Sequence, residues 1–420
     1  MKRIFMMLCA VVALVSCGNV EREYYFDKTE NRTYNDPDAE FDTLSYAVGM
    51  NMGLSMVLQP AGNIFDMDVI IDGFCEEIAK SEVDTEFIDK NNEYVRTFFN
   101  ERMNKYVMAK RLAVMSSKEV TLPEIFDEEY SLEKVSKSFG YDMANHVRKN
   151  SYPVNVHWFV DAMNDAKTIE ENSIVDDYMK IGSMDLRRVL GDYVSSTFPE
   201  YMAEKSASWL RDVAGKRGVH EIVVDGDTLY YRVDKAGNGK KPQTLRDTVS
   251  LSYDVYTQRG ALVESHSKRI ADLKEALEKT IADTAVSPQL RDKRIERLES
   301  QLEQNENLSI VVDQAIIEGS KYGIQKVGEG GDITLWIPAS LAYGERGNKM
   351  VAPNEGVVMC IHLKSVTYGP TDEEYEAMKL IKKGSPKKAN GKSTIVTPVH
   401  PKALHNNSES GKGVKVIKTK

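Results

Sequence analysis

The most informative stretch of this sequence reads Leu335-Trp336-Ile337-Pro338-Ala339-Ser340-Leu341-Ala342-Tyr343-Gly344. An apolar run ends at an Ile-Pro pair and continues into a Leu-Ala-Tyr-Gly turn. A loop that closes on Val351-Ala352-Pro353-Asn354 follows, and residues 356–363 then form a second apolar run, which is typical of a buried strand. Upstream, residues 247–256 alternate apolar and polar side chains, which predicts a half-buried strand. The C-terminal half is therefore predicted to contain a sheet.

In this order, the elements resemble the C-terminal half of FKBP-type peptidyl-prolyl cis-trans isomerases, over residues 218–367. The resemblance implies an α+β fold, with an antiparallel sheet wrapped around a short helix near residues 319–327. It also implies rotation about X-Pro amides, whose partial double bond imposes a barrier of about 18–20 kcal/mol. Such a site needs no cofactor and no metal, because an apolar pocket and a few fixed donors favour the twisted amide.

The resemblance further implies which residues form the site. Tyr343 would donate its hydroxyl to the substrate carbonyl, Ile317 would offer its backbone N–H, and Glu264 occupies the position of the family's aspartate. The pocket would be formed by Tyr253, Val263, Val311, Ile316, Ser320, Val351 and Met359.

Several of these positions depart from the family pattern. Ser320 stands where the family has a tryptophan floor, Val263-Glu264 replaces a Phe-Asp pair, and Met359 and Val311 replace aromatic residues. These changes predict a preserved fold with reduced isomerase activity. The alternative is a non-catalytic periplasmic chaperone or scaffold on a degenerate FKBP fold.

The N-terminus resembles a bacterial lipoprotein signal. Basic residues at Lys2 and Arg3 precede an apolar run, and Leu14-Val15-Ser16-Cys17-Gly18 fits a lipobox. This run is too short to span a bilayer as a helix. We expect residues 1–17 to be the signal including a lipidated Cys17, followed by a polar tether over residues 18–40. The alternative is an ordinary signal peptide with an incidental cysteine. The expected location is the outer membrane facing the periplasm, with the lipid as the only membrane attachment.

A unit of about ninety residues occurs twice before the sheet, which indicates a tandem repeat. Ser45-Tyr46-Ala47-Val48-Gly49 aligns with Ser136-Lys137-Ser138-Phe139-Gly140. Both copies, at 41–120 and 131–214, have apolar residues at helical spacing, and both glycines are expected to allow close helix packing. The first copy resembles the dimer-forming N-terminal segment of Mip- and FkpA-like FKBP lipoproteins. We therefore predict a monomer in which the two copies pair internally.

Two further segments have no counterpart in the family pattern. Residues 265–307 carry apolar side chains at three- and four-residue spacing, interrupted near Pro288, which predicts a helical hairpin beside the pocket. This hairpin could hold unfolded segments or be a lineage-specific ornament. Residues 368–420 are basic and poor in large apolar side chains, which predicts a disordered tail.

The composition limits the possible partners. The formal net charge is −9, and an acidic surface repels phosphate backbones, so we expect no nucleic-acid partner. Neither helical copy carries a cluster of His, Cys and Asp residues at metal-ligand spacing. Cys75 and Cys360 lie in different predicted domains, so no disulfide between them is expected. The expected partners are proline-containing unfolded or nascent exported proteins.

Overall fold

The structure is a computed structural model, and it describes residues 26, 30–59, 64–116, 121–170, 173–283, 286–306, 308–371 and 373–375. The expected signal with Cys17, most of the tether and nearly all of the tail lie outside these residues. The chain divides into two compact units, residues 1–369 and 370–420, and the helical region and the sheet both belong to the first. No helix in the described ranges is long and apolar enough to cross a bilayer.

The N-terminal region consists of two series of helices in the same order. The first series is α1 (Thr43–Val57), α2 (Met67–Ile78), α3 (Thr85–Phe98) and α4 (Asn104–Ser116), and the second is α5 (Leu132–Lys149), α6 (Val156–Lys167), α7 (Ser183–Asp192) and α8 (Phe198–Ala214). A π-helical turn joins α3 to α4 at Phe99–Met103, and another joins α7 to α8 at Tyr193–Thr197. Because π-helical turns are rare, their recurrence at the same place shows that the sequence repeat is also a structural repeat.

Side-chain caps set the starts of these helices. Asp42, Asp66 and Asp84 accept backbone N–H groups at the starts of α1, α2 and α3. In the second series, Ser131 caps α5 and Asn155 caps α6 in the same way. Each cap satisfies a donor that the first helical turn leaves unpaired, so short polar residues at these positions determine where the helices begin.

The two series are interlocked. α1 packs along α6 and α2 packs along α5, so the first helix of each series pairs with the second helix of the other. A Cβ added at Gly49 would lie 2.4 Å from the carbonyl oxygen of Phe159, and one added at Gly140 would lie 2.2 Å from that of Ile70. The prediction that both glycines allow close helix packing is therefore confirmed.

Two buried serines follow the same symmetry. The hydroxyl of Ser45 accepts the N–H of Asn155 at the start of α6, at 2.7 Å, and the hydroxyl of Ser136 accepts the N–H of Asp66 at the start of α2, at 3.0 Å. The two series are therefore related by an approximate twofold axis. They share one hydrophobic core, to which helices of both series contribute.

The C-terminal region is an antiparallel sheet with the strand order β1-β2-β6-β7-β3-β4, in which β5 also pairs with β3. Its strands are β1 (His220–Val224), β2 (Asp227–Lys235), β3 (Thr248–Thr257), β4 (Leu262–Ser265), β5 (Ser309–Val311), β6 (Gly331–Ile337) and β7 (Val357–Thr367). A short helix, α11 (Ser320–Ile324), packs against β6. Two 3-10 turns cover Val312–Gln314 and Ala339–Leu341. The predicted α+β fold, with a short helix inside an antiparallel sheet, is confirmed.

The predicted helical hairpin is present between β4 and β5, and it is formed by α9 (His266–Ala282) and α10 (Pro288–Glu306), which pack on each other. β4 and β5 pair with the same edge of β3: Ser265 lies opposite Asp254, and Ser309 lies opposite Ser250. The chain thus leaves the sheet and returns to the same edge a short distance away. This is why a long insertion does not interrupt the sheet.

α8 connects the helical region to the sheet. Its buried residues Trp209 and Val213 belong to a cluster with Tyr256, Trp336 and Val358 on the outer side of the sheet. The corresponding helix of the first series, α4, exposes the large apolar side chains Met108, Leu112 and Met115.

Candidate functional site

Tyr253 and Glu264 form the polar centre of the site. Tyr253 lies in the middle of β3 and is 3 % exposed, and its hydroxyl donates a hydrogen bond to Glu264 Oε1 at 2.9 Å. Burial, together with the nearby Glu264 carboxylate, raises the pKa of Tyr253 far above its usual value. Tyr253 therefore stays protonated and keeps Glu264 fixed next to the apolar core of the sheet.

Tyr343 lies on the turn after the Ala339–Leu341 3-10 turn and packs, half-buried, against the same core. Burial raises the pKa of Tyr343, and the Glu264 carboxylate raises it further. Its hydroxyl makes no hydrogen bond to any residue that the structure describes. It is therefore a protonated donor that can bind a carbonyl oxygen of a ligand.

Ile317 supplies a second donor. Its side chain is buried in the core, and its carbonyl oxygen accepts the Ser320 hydroxyl at 2.6 Å and the Ser320 N–H at 3.0 Å. Among the described residues, the Ile317 N–H has no hydrogen-bond partner. The carbonyl side of this turn is thus fixed while the N–H stays available to a ligand.

The expected apolar walls differ in burial. Val351 and Met359 are buried in the core of the sheet, Val263 packs against it, and Ile316 is 51 % exposed.

The assignment of Val311 needs correction. Ile310 packs against the core and Val312 is buried within it, whereas Val311, between them on β5, does not belong to this cluster. Because successive side chains of a strand point to opposite faces, Ile310 is the aliphatic residue of β5 that faces the core.

Ser320 replaces the family's aromatic floor with a small buried residue. It has no exposed surface, and its hydroxyl is used by the Ile317 carbonyl. At the neighbouring Gly319, an added Cβ would lie 2.6 Å from the Ile337 side chain, so α11 and β6 are in close contact here. The Ser320 side chain is therefore fully enclosed by its neighbours.

The helical insertion contributes two residues that the sequence did not identify. Arg269 of α9 donates to Glu264 Oε1 at 2.6 Å. The buried ring of His266 stacks on Tyr253, with ring centroids 5.8 Å apart and an interplanar angle of 10°, and its Nε2 lies 2.9 Å from the Asn305 carbonyl oxygen. Burial lowers the pKa of His266. The only feature of the sequence that could have pointed to His266 as a site residue is its position two residues after Glu264.

The insertion also forms one side of a groove next to the site. This groove has a volume of about 450 Å³ and is lined by Val263 and Glu264 on β4 and by Lys268, Asp272 and Leu273 on α9. It therefore begins at Glu264 and runs along the first helix of the insertion. Within the described ranges, no group of His, Cys, Asp and Glu residues has the arrangement of a metal site.

The geometry brings together the buried Tyr253 bonded to the half-buried Glu264, a free tyrosine hydroxyl, a free backbone N–H and apolar walls. Such a site can remove water from an amide and donate hydrogen bonds to a carbonyl.

Comparison with known proteins agrees with this geometry. Residues 286–364 match the family model described as FKBP-type peptidyl-prolyl cis-trans isomerase. This part of the chain is similar to an FKBP-type domain. The resemblance inferred from the Leu335–Gly344 stretch is therefore confirmed. The matched range includes Ile317, Tyr343 and Met359 of the site.

Relatives extend the similarity beyond this range. The chain is 22% identical over 245 residues to peptidyl-prolyl cis-trans isomerase Mip of Coxiella burnetii, covering 56% of this chain and 86% of the relative. It is 23% identical over 235 residues to outer membrane protein MIP of Legionella longbeachae, covering 56% and 85%. A probable FKBP-type isomerase FkpA of Neisseria meningitidis is 26% identical over 164 residues, covering 39% of this chain and 46% of the relative. Among solved structures, FkpA from Escherichia coli matches 58% of this chain and 98% of its own, at 22% identity and a TM-score of 0.32.

Proposed function

We propose that this protein is a peptidyl-prolyl cis-trans isomerase of reduced activity that acts on proline-containing unfolded or nascent exported proteins. One observation carries the proposal: Tyr253, Glu264, the free hydroxyl of Tyr343 and the free N–H of Ile317 surround one apolar core. The relatives named as peptidyl-prolyl cis-trans isomerases support the same reaction.

In the proposed mechanism, the prolyl ring enters between the apolar walls formed by Val351, Met359 and Val263. Loss of water from the imide weakens its charge-separated planar form. The Tyr343 hydroxyl and the Ile317 N–H then donate to carbonyl oxygens of the client and hold the chain while the amide rotates. No bond to the protein forms at any step.

The second candidate is a non-catalytic chaperone or scaffold with the same fold, and the buried Ser320 favours it. A pocket without an aromatic floor offers a prolyl ring less apolar surface.

Proline-limited refolding of a substrate protein separates the two candidates. We expect wild-type protein to accelerate the slow phase weakly, and Tyr343→Phe to lower kcat/KM by about tenfold, since a lost transition-state hydrogen bond costs about 1–2 kcal/mol. Tyr368→Phe, at an exposed tyrosine beyond β7, is the matched control and should leave the rate unchanged. If wild-type protein and Tyr343→Phe both match the uncatalysed rate, the scaffold function replaces the enzyme.

We also propose that the protein resides in the cell envelope and is anchored to the outer membrane through a lipid on Cys17, facing the periplasm. The lipobox sequence and the relative named outer membrane protein MIP support this location. Cys17→Ala should move the protein from the membrane fraction to the soluble fraction, because the lipid is the proposed anchor. Cys75→Ala is the matched control and should remain with the membrane. Membrane retention of Cys17→Ala after a high-salt wash would contradict the anchor.

We propose finally that the protein without its lipid is a monomer. The interlocked series already pair α1 with α6 and α2 with α5 within one chain, at the high effective concentration that a short linker provides. Light scattering at micromolar protein should give the mass of one chain. A dimer under these conditions would mean that the series pair between chains.

A further inference from the structure

The flap, residues 344–356, connects the Tyr343 turn to β7. It begins directly after Tyr343, and Val351 in its middle is buried in the core. The Asn354 N–H donates to the Gly344 carbonyl at 3.2 Å, so the two ends of the flap are linked. The position of the flap therefore affects both the proposed hydrogen-bond donor and one wall of the pocket.

The C-terminal end of the flap is fixed to α8 of the second helical series. The buried hydroxyl of Ser206 lies 2.5 Å from Gln258 Oε1 and 2.7 Å from the Asn354 carbonyl oxygen, and it accepts the Gly356 N–H at 3.3 Å. The Asn354 side chain donates to the Pro199 carbonyl at 3.1 Å. One helical serine thus connects Gln258, the residue after β3, with Asn354 and Gly356, which lie just before β7.

A buried ion pair supports the same region. Arg259 binds both carboxylate oxygens of the fully buried Glu355, at 2.8 and 3.0 Å, and also donates to the Lys149 carbonyl at the end of α5. Glu355 Oε2 in turn accepts the Ala352 N–H at 2.8 Å. Both Ala352 and Glu355 belong to the flap, so the flap is attached to two helices of the second series.

Close packing adds to the polar contacts at this junction. A Cβ added at Gly356 would lie 2.6 Å from the Trp209 ring of α8, and the Ala352 side chain packs against the core of the helical region. The two regions thus touch closely at Gly356 and Ala352, and a cavity of about 190 Å³ lies beside these contacts, between the helices and the flap.

We propose that Ser206 and Asn354 are positioning residues through which the second helical series holds the flap, and with it Tyr343, in the geometry needed for amide rotation. This inference rests on the proposed isomerase function. A displacement of about 1 Å in a catalytic group, caused by a residue far from the chemistry, can reduce a rate by up to about a hundredfold.

Two variants of the full chain test the proposal. Ser206→Ala removes the shared hydroxyl. Asn354→Gly removes only the side-chain contact to Pro199, because glycine adopts the positive φ of 57° at this position without strain. Ser208→Ala, at an exposed serine on the same helix, is the matched control.

We expect each variant to lower kcat about threefold to tenfold with little change in KM, and Ser208→Ala to match wild type. Hydrogen–deuterium exchange of flap amides 345–353 should accelerate in both variants, while that of β3 stays unchanged.

Unchanged kcat together with unchanged flap exchange would overturn the proposal. Faster flap exchange with unchanged kcat would also overturn it, because loosening the flap would then have no effect on the reaction. If wild-type protein is itself inactive, the proposed function fails, and the exchange experiment alone then decides whether Ser206 and Asn354 hold the flap.

Discussion

Replacement of Gly140 by alanine tests the interlocked arrangement of the helical series most directly. In an exposed helix, Gly→Ala stabilises by roughly 1 kcal/mol, because alanine loses less backbone freedom on folding. At Gly140, however, the new Cβ would lie 2.2 Å from the Ile70 carbonyl oxygen and 2.6 Å from the Phe74 backbone nitrogen. Both neighbours are backbone atoms of a packed helix, so they cannot move aside as a flexible side chain would.

We expect overpacking at Gly140 to exceed the helix-propensity gain, so that the free energy of unfolding falls by about 1–3 kcal/mol. Gly191→Ala is the matched control: among the described residues outside the surrounding backbone of α7, no atom lies within 4 Å of a Cβ added at Gly191, so this variant should be more stable than wild type by about 1 kcal/mol. Gly49→Ala, at the symmetry-related crossing, should behave like Gly140→Ala.

Urea unfolding followed by far-ultraviolet circular dichroism measures these differences. The decisive quantity is the sign of the change in the free energy of unfolding, which should be negative for Gly140→Ala and positive for Gly191→Ala. If Gly140→Ala were as stable as Gly191→Ala, the α2–α5 crossing could not be as close as described, and the interlocked arrangement would be refuted.

Three further predictions follow from other buried positions. Ser320→Trp should lower the free energy of unfolding by about 1–3 kcal/mol, because the site has no room for the ring; a stable variant in urea unfolding would show an open floor instead. The pKa of His266 is lowered by burial, so the unfolded chain takes up a proton that the folded chain does not, and stability is lost as pH falls below about 6.5. His266→Gln should weaken this pH dependence of the urea midpoint, and an unchanged dependence would contradict the assignment. Arg148→Met should lower the free energy of unfolding by about 1–3 kcal/mol, because the buried Glu77 keeps only Lys80 as a charged partner, and adding Glu77→Met should restore part of the loss in a double-mutant cycle.

The sequence alone determined the resemblance of the C-terminal region to FKBP-type isomerases and the existence of the helical repeat. The Leu335–Gly344 stretch predicted a strand that ends in a tyrosine-bearing turn, because alternation, proline and glycine act over a few residues. Gly49 and Gly140 predicted close helix crossings, because the lack of a side chain is also a local property of the sequence. The resemblance also predicts the site residues Tyr253, Tyr343, Ile317 and Glu264.

Register and long-range pairing could not be obtained in this way. The resemblance places Val311 in the pocket, but in a three-residue strand a shift of one position exchanges the two faces, and Ile310 is the residue that packs inward. The sequence predicts a hairpin in the insertion, but nothing local indicates that Arg269 binds Glu264 or that His266 stacks on Tyr253.

Only the tertiary structure decided which surfaces meet. The helical period indicates which face of a helix is apolar, but it does not say whether α1 will cover α2 or α6. That choice depends on the total area buried when all helices pack together, a property of the whole chain. The same holds for the contact between α8 and the flap, where residues distant in sequence meet because both sides are buried at one junction.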